Sequence, residues 1–127
     1  MVKLLKNTPS KKSNDMSNIA LQISLPVDTG FVVVRYSDLI YIQADGNFSK
    51  VFLVDDKQLL ITRHLKAFEN FLPKDFFIRT HNKYIINKAF VKAFDKKDMQ
   101  VLLSTGERLP VSVRRKMKVY DSFNLLR

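Results

Sequence analysis

The stretch that decides the fold is residues 38–62, DLIYIQADGNFSKVFLVDDKQLLIT. It contains three runs rich in β-branched and aromatic side chains, at residues 39–43, 48–54 and 58–62. The tripeptides between them, Asp-Gly-Asn and Asp-Asp-Lys, are typical of turns. Runs that recur about every 8 to 12 residues indicate antiparallel strands, not strands that alternate with long helices.

The same signal extends in both directions along the chain. Apolar residues alternate with small or polar ones over residues 19–25, which predicts a strand with one buried face. Further strands are predicted at residues 31–36, 76–79, 90–94, 99–104 and 108–109. Phe31, Tyr41, Phe52 and Phe77 have apolar neighbours in these runs and are expected in the core.

Two short helices interrupt the strands. Leu65, Phe68 and Leu72 have helical spacing and Pro73 ends the segment, so residues 65–72 are predicted to be helical. Ser112 is a candidate cap for a C-terminal helix with Val113, Met117 and Tyr120 on one face. The fold class is therefore mainly β and antiparallel, with a short central helix and a C-terminal helix.

Length and composition limit the class of protein. A chain of 127 residues is expected to form one domain, here residues 18–127, preceded by a flexible basic arm at residues 1–17 that is rich in Lys, Ser, Asn and Pro. Cysteine is absent, which excludes disulfides, Cys-ligated zinc and thiol nucleophiles and fits a reducing compartment. We find no apolar run of membrane-spanning length and no signal-peptide pattern, and therefore expect a cytoplasmic protein with no membrane partner.

The positive charge is concentrated in one part of the chain. The net charge is +10, and residues 76–127 hold 12 basic and 4 acidic residues. Residues 19–75 hold 6 basic and 7 acidic residues. A localised basic segment indicates either a polyanionic partner such as nucleic acid or a solubilising surface.

Enzymatic chemistry has little support in the sequence. The chain has two histidines and three glycines, and it contains no phosphate-binding glycine loop, nucleophile elbow or metal-ligand spacing. We therefore expect no catalytic residues, no metal and no cofactor.

Three polar clusters remain as candidate contacts. In the first, at residues 78–87 (IRTHNKYIIN), Asn82 and Lys83 are expected at an exposed turn where an amide could pair with adenine. His81 could instead be a buried residue that ties the loop together, and Asn87 is expected to cap or close a turn with its side-chain amide. The second has cations crowding the start of the last helix, where the macrodipole disfavours them, as expected at an anion-binding surface or on a solvated basic face. The third is the loop at residues 44–50, which could project polar side chains or be an ordinary hairpin turn. The cations of the second cluster are Arg114, Arg115, Lys116 and Lys118, and the polar residues of the third are Asn47, Ser49 and Lys50.

Four segments, in order and at similar spacing, resemble the LytTR family, the DNA-binding domain of many bacterial response regulators. They are residues 38–48 (DLIYIQADGNF), 65–69 (LKAFE), 77–87 (FIRTHNKYIIN) and 109–115 (LPVSVRR), and the resemblance covers residues 19–127. It implies an elongated arrangement of small, mostly antiparallel sheets, with loops that enter successive major grooves on one DNA face. The family's usual upstream receiver domain is absent from this sequence, and residues 1–17 fit the linker that would join it.

The resemblance also assigns roles to the three clusters. It implies base reading by Asn47, Ser49, Lys50, Asn82, Lys83 and Arg114, and phosphate binding or loop support by Arg79, His81, Arg115, Lys116 and Lys118. The implied function is sequence-specific binding of duplex DNA, on paired repeats and with a homodimer on DNA, as the output domain of a two-component transcription regulator. Asn82, Lys83 and Phe48 depart from the residues common in the family, so base preference does not transfer.

Two other functions fit the composition. Single-stranded nucleic acid could bind by stacking on aromatic side chains, which requires these to be exposed on one sheet face. A protein-interaction or membrane-surface module would bind acidic partners with no DNA sequence preference.

Overall fold

The computed structural model of the chain describes residues 21–126, and the predicted arm at residues 1–17 lies outside them. The residues form two compact units that divide between Asp38 and Leu39. In the first unit, strands β1 (Gln22–Val27) and β2 (Gly30–Arg35) form an antiparallel hairpin, and a 3-10 turn follows at Tyr36–Asp38.

The hairpin buries less of its apolar surface than the sequence predicts. Ile23 and Leu25 are buried, as the alternation indicates, but Leu21 is 42% exposed and Ile19 lies outside the described residues. The prediction that Phe31 belongs to the core is wrong, because its side chain is 67% exposed. Successive side chains of a strand point to opposite faces, yet only Val34 of β2 is buried, so both faces of this strand are largely exposed.

A five-stranded antiparallel sheet organises the second unit. Its strands are β3 (Leu39–Asp45), β4 (Phe48–Leu53), β5 (Lys57–Ile61), β6 (Phe77–His81) and β7 (Tyr84–Asn87), in the order β5-β4-β3-β7-β6. Helix α1 (Leu65–Phe71) connects β5 to β6 and contacts β3 and β7. The central strand β3 has four consecutive buried residues, as expected for a strand covered on both faces.

A three-stranded antiparallel sheet completes this unit. A 3-10 turn (Lys88–Phe90) leads into β8 (Val91–Asp95), β9 (Gln100–Leu103) and β10 (Arg108–Pro110), in the order β10-β9-β8. After a second 3-10 turn (Val113–Arg115) comes helix α2 (Lys116–Asp121). One core cluster joins the two sheets and α2, and it contains Ile40, Tyr41, Ile86, Val101, Leu103, Leu109, Val111 and Val119.

The aromatic predictions for this unit are largely confirmed. Tyr41 and Phe77 are 7% and 4% exposed. Phe52 is partly buried against the core cluster and stacks on Tyr41 with ring centroids 4.3 Å apart. Neither helix in residues 21–126 has the length or apolar character that a membrane crossing requires.

Two local predictions differ from the structure. Strand β7 was not predicted, because its apolar part is only two residues long. The expected apolar face of the C-terminal helix is wrong: Val113 and Met117 are 82% and 60% exposed, whereas Val119 is 1% exposed. The segment starts as a 3-10 turn with about three residues per turn, so a face extrapolated at 3.6 residues per turn is out of phase.

Candidate nucleic-acid interface

Two hairpin turns lie side by side at one end of the five-stranded sheet. The β3–β4 turn contains Gly46 and Asn47, and the β6–β7 turn contains Asn82 and Lys83. Strands β3 and β7 are neighbours, and the Ala44 backbone N–H donates to the Lys83 carbonyl at 2.9 Å. The sheet topology therefore brings the first and third polar clusters of the sequence to the same edge of the fold.

A β-bulge aims the β6–β7 turn. The register jumps between Arg79 and His81, so Thr80 is the extra residue of β6. Its side chain is fully buried, whereas Asn82 and Lys83 directly beyond it are exposed. Bulges re-aim side chains at strand ends, and this one directs the two polar residues of the turn to solvent.

The second polar cluster packs against the same bulge. The Ser112 backbone N–H donates to the Thr80 carbonyl at 2.9 Å, which fixes the start of the 3-10 turn that carries Arg114. Arg114 Nη2 lies 3.5 Å from Asn82 Oδ1, and both side chains are exposed. A contact of this length is weak. Its importance is geometric, because it places two side chains 32 residues apart in sequence next to each other on one surface.

Glu69 and Arg79 support this surface from beneath. Arg79 Nη1 donates to Glu69 Oε1 at 2.8 Å. Its other donors reach the turn itself, with Nε 3.1 Å from the His81 carbonyl and Nη2 2.6 Å from the Asn82 carbonyl. The Arg79 side chain is only 13% exposed. Of the two roles the sequence left open for Arg79, the structure therefore favours loop support.

Arg115 occupies a similar supporting position. Its Nη1 lies 3.8 Å from Glu69 Oε2, and its side chain is 14% exposed. Burial lowers the pKa of the Arg115 guanidinium, and the charges of Arg114 and Arg79 act in the same direction, whereas Glu69 opposes them. The group remains charged at neutral pH, as arginine does in proteins. Arg115 thus joins Arg79 in holding the turns, and its neighbour Arg114 is the one that reaches solvent.

The Glu69 carboxylate carries the charge that balances these cations. Burial alone would raise its pKa, but the hydrogen bond from Arg79 and the charges of Arg79, Lys66 and Arg115 outweigh burial, so the pKa of Glu69 is below its ordinary value of 4.5. Its side chain is 25% exposed. One carboxylate therefore connects the turn that bears Asn82 to the turn that bears Arg114.

His81 closes the β6–β7 turn locally. Its Nδ1 accepts a hydrogen bond from the Lys83 backbone N–H at 3.1 Å, and its ring lies 6.1 Å from that of Tyr84. An imidazole nitrogen accepts only when it carries no proton, so this geometry requires the other nitrogen, Nε2, to hold the hydrogen. His81 thus also acts as loop support. Asn87 caps the following 3-10 turn by accepting from the Ala89 backbone N–H, as the sequence favoured.

The β3–β4 loop divides into exposed and buried residues. Asn47 is exposed. Lys50 is partly exposed, and its Nζ lies 3.8 Å from Asp45 Oδ2 in a surface ion pair. The prediction that Ser49 reads bases is wrong. Its side chain is fully buried and its hydroxyl donates to the Arg63 carbonyl at 2.7 Å, so it has no surface to offer DNA. Alternation along β4 points Ser49 inwards, opposite to Lys50.

The lysines of α2 differ in exposure. Lys118 is exposed, whereas Lys116 is half-buried at the first residue of the helix. Both follow Arg114 and Arg115 along the chain, so four cations lie within five residues. This segment is the most concentrated positive charge beside the Asn82 turn.

Three buried polar atoms beneath the turns have no hydrogen-bond partner among residues 21–126: Thr80 Oγ1, Ser112 Oγ and Arg115 Nε. Each such atom costs free energy, and proteins usually pair them. Their concentration around the Ser112–Thr80 link indicates that this region is not optimised for stability, which is common where a protein binds something else.

Sequence reasoning missed Glu69 as part of the site. A signal was available: Glu69 is the only acidic residue between Lys57 and Lys74. What could not be read is its partnership with Arg79 and Arg115, since that depends on how α1 packs on the sheet.

Comparison with known proteins decides the family. The family profile of the LytTr DNA-binding domain matches residues 29–124, about three quarters of the chain. This chain belongs to the LytTR family. A solved structure agrees with the LytTR fold found here: the LytTr DNA-binding domain of a Bacillus cereus protein described as a methyl-accepting/DNA response regulator. The two superpose with a TM-score of 0.69 at 27% sequence identity, covering 82% of this chain and 97% of that one.

Curated relatives of this LytTR domain include the accessory gene regulator protein A of two Staphylococcus epidermidis strains, ATCC 35984 and ATCC 12228. Each is 28% identical over 98 residues, which is 76% of this chain and 40% of the relative. This LytTR chain thus spans less than half the length of the curated relatives it matches.

Proposed function

We propose that this LytTR domain binds duplex DNA with sequence specificity, by turns inserted into the major groove. The observation that carries the proposal is the exposed pair Asn82 and Arg114, 3.5 Å apart on one surface. Asparagine pairs bidentately with adenine and arginine with guanine, and both edges are presented in the major groove. Lys83, Asn47 and Lys50 lie at the same end of the sheet and extend this set of polar groups.

Phosphate contacts would set the register of the protein on the duplex. Lys118 is exposed and Lys116 is half-buried on the helix that follows Arg114. Both lysines are therefore suited to contact the phosphates of the DNA backbone. Arg79, His81 and Arg115 are engaged within the protein, and we assign them to holding the turns. The proposal involves no catalytic step, metal or cofactor.

The larger assembly is proposed from the relatives. The curated relatives are regulator proteins, and the match covers only 40% of their length, so we infer that this domain acts as the output of a two-component regulator with an upstream receiver. Two copies would bind paired repeats as a homodimer on DNA, and the site of action would be the cytoplasm. The arm at residues 1–17 would link the two domains.

One observation favours a different function. Phe31 on β2 is 67% exposed, and exposed aromatics on a sheet are what single-strand binders use for stacking. Tyr41 and Phe52, however, stack on each other at the core, so they are not available to bases. Duplex binding is the proposal we prefer, because it uses several exposed polar side chains at one end of the sheet and not a single exposed aromatic ring. These side chains are Asn47, Asn82, Lys83 and Arg114.

The test is selection of bound sites from a random duplex library, followed by competition with single strands of the selected sequence. We expect enrichment of one sequence and competition by duplex only. Equal competition by single strands, or selection without enrichment, would contradict the proposal.

A further inference from the structure

Val113 is an apolar side chain in an unusual place. It is 82% exposed and directly precedes Arg114 in the 3-10 turn beside Asn82. Scattered exposed apolar residues are normal on protein surfaces and need no explanation. Val113 differs because it lies between Ser112, whose backbone is hydrogen-bonded to Thr80, and the exposed cation Arg114. Met117, four residues later, is also 60% exposed.

Hydrogen bonds hold the backbone of the turn on both sides of Val113. The Ser112 backbone N–H donates to Thr80 on one side, and on the other the Arg115 backbone N–H donates to the Ser112 carbonyl at 3.0 Å. The Arg115 side chain is in addition paired with Glu69. A β-branched side chain has few rotamers, so little entropy is lost when such a residue makes a contact.

We propose that Val113 packs on the C5-methyl group of a thymine in the base pair next to the guanine that Arg114 reads. This inference rests on the proposed function. In the major groove thymine alone presents a methyl group, and an apolar side chain recognises it. A short valine beside a long arginine suits this geometry, since the valine meets the base nearest the turn and the guanidinium reaches the next one.

The test removes the methyl group from the DNA and the valine from the protein, separately and together. Each thymine of the selected duplex is replaced in turn by deoxyuridine, which lacks only the C5-methyl. For the unmodified chain we expect one position at which affinity falls about three- to fivefold, the effect of one lost methyl contact. For Val113→Ala we expect the affinity for the thymine duplex to fall by the same factor. Replacing that thymine by deoxyuridine should then cause no further loss of affinity in the variant.

Two variants serve as controls. Val113→Ile keeps the apolar contact and should retain the difference between thymine and uracil. Val33→Ala removes a valine that is 48% exposed on β2, outside the turns assigned to DNA, and should behave like the unmodified chain.

The outcomes separate this inference from the function on which it rests. If a specific duplex is bound but the uracil loss persists undiminished in Val113→Ala, the thymine contact is wrong and the proposed function stands. If selection enriches no duplex, the proposed function itself fails. If Val113→Ala binds all duplexes normally but the full-length regulator loses transcriptional activation, Val113 contacts a protein, which also overturns the inference.

Discussion

At the scale of the residue, Glu69 determines how the two turns proposed to face DNA are held. It pairs with Arg79, which donates hydrogen bonds to the His81 and Asn82 carbonyls. It also pairs with Arg115, which directly follows Arg114. Because its pKa is lowered in the folded protein, Glu69 stabilises the fold fully above its ordinary pKa of 4.5. This contribution is lost as the pH falls through the lowered pKa.

We therefore predict that Glu69→Gln lowers the free energy of unfolding at pH 7 by about 1 to 3 kcal/mol, the range for hydrogen bonds to charged groups. The difference between the unmodified chain and the variant should be smaller at pH 3 than at pH 7, because the contribution of the Glu69 carboxylate declines as the pH falls below 4.5 towards and through its lowered pKa. Urea denaturation at both pH values measures it. Asp75→Asn, at an exposed carboxylate, is the control and should change little. A difference that stays constant between pH 7 and pH 3 would contradict this role.

Single residues were predictable where exposure follows from local sequence. Asn82 and Lys83 occupy a turn between apolar runs and are exposed, as expected. Ser49 was misplaced because a polar residue next to a turn can point to either face of a strand, and only the register decides which. The supporting role of Arg115 depends on Glu69, 46 positions earlier, and a single sequence carries no sign of that contact.

At the scale of the element, the β6 bulge connects the two turns. It buries Thr80 with its hydroxyl unpaired and presents its carbonyl to Ser112. Valine has nearly the same shape as threonine and lacks the hydroxyl. We predict that Thr80→Val raises the free energy of unfolding by about 1 kcal/mol, since it removes an unsatisfied buried group. Chemical denaturation measures the change.

The same substitution should leave DNA affinity unchanged, because the Thr80 carbonyl that anchors Ser112 is retained. Thr29→Val, at an exposed threonine, provides the comparison for the chemical change alone. A loss of stability in Thr80→Val would mean that the hydroxyl has a hydrogen-bond partner in solution, and the interpretation of Thr80 as an unsatisfied buried group would be wrong.

Elements with a strong periodic signal were predictable, and weak ones were not. The strands of residues 39–62 and helix α1 lie within a residue or two of their predicted bounds. Strand β7 was missed because two isoleucines cannot show a period, although its pairing with β3 positions the whole interface. The C-terminal helix was placed correctly but its face was not, because the 3-10 turn changes the phase.

At the scale of the whole molecule, charge and family agree with the proposed interface. Residues 76–127 carry most of the net charge, and they contain both the Asn82 turn and the Arg114 segment. The order of four motifs was enough to indicate the LytTR family from the sequence, and the family profile confirms it. No single motif matches the family closely enough to identify it. The order and spacing of all four motifs made the resemblance specific.

The most direct test of the central claim, that Asn82 and Arg114 form one base-reading surface, is the affinity of Arg114→Ala for the selected duplex and for random duplex. Lys118→Ala is the matched control: a phosphate contact should be lost on both duplexes alike, with the salt slope reduced by about one. For Arg114→Ala we predict a loss of about 1 to 3 kcal/mol on the selected duplex, relaxed preference at one base pair, and little change on random DNA. Equal losses of affinity on the two duplexes would contradict the claim.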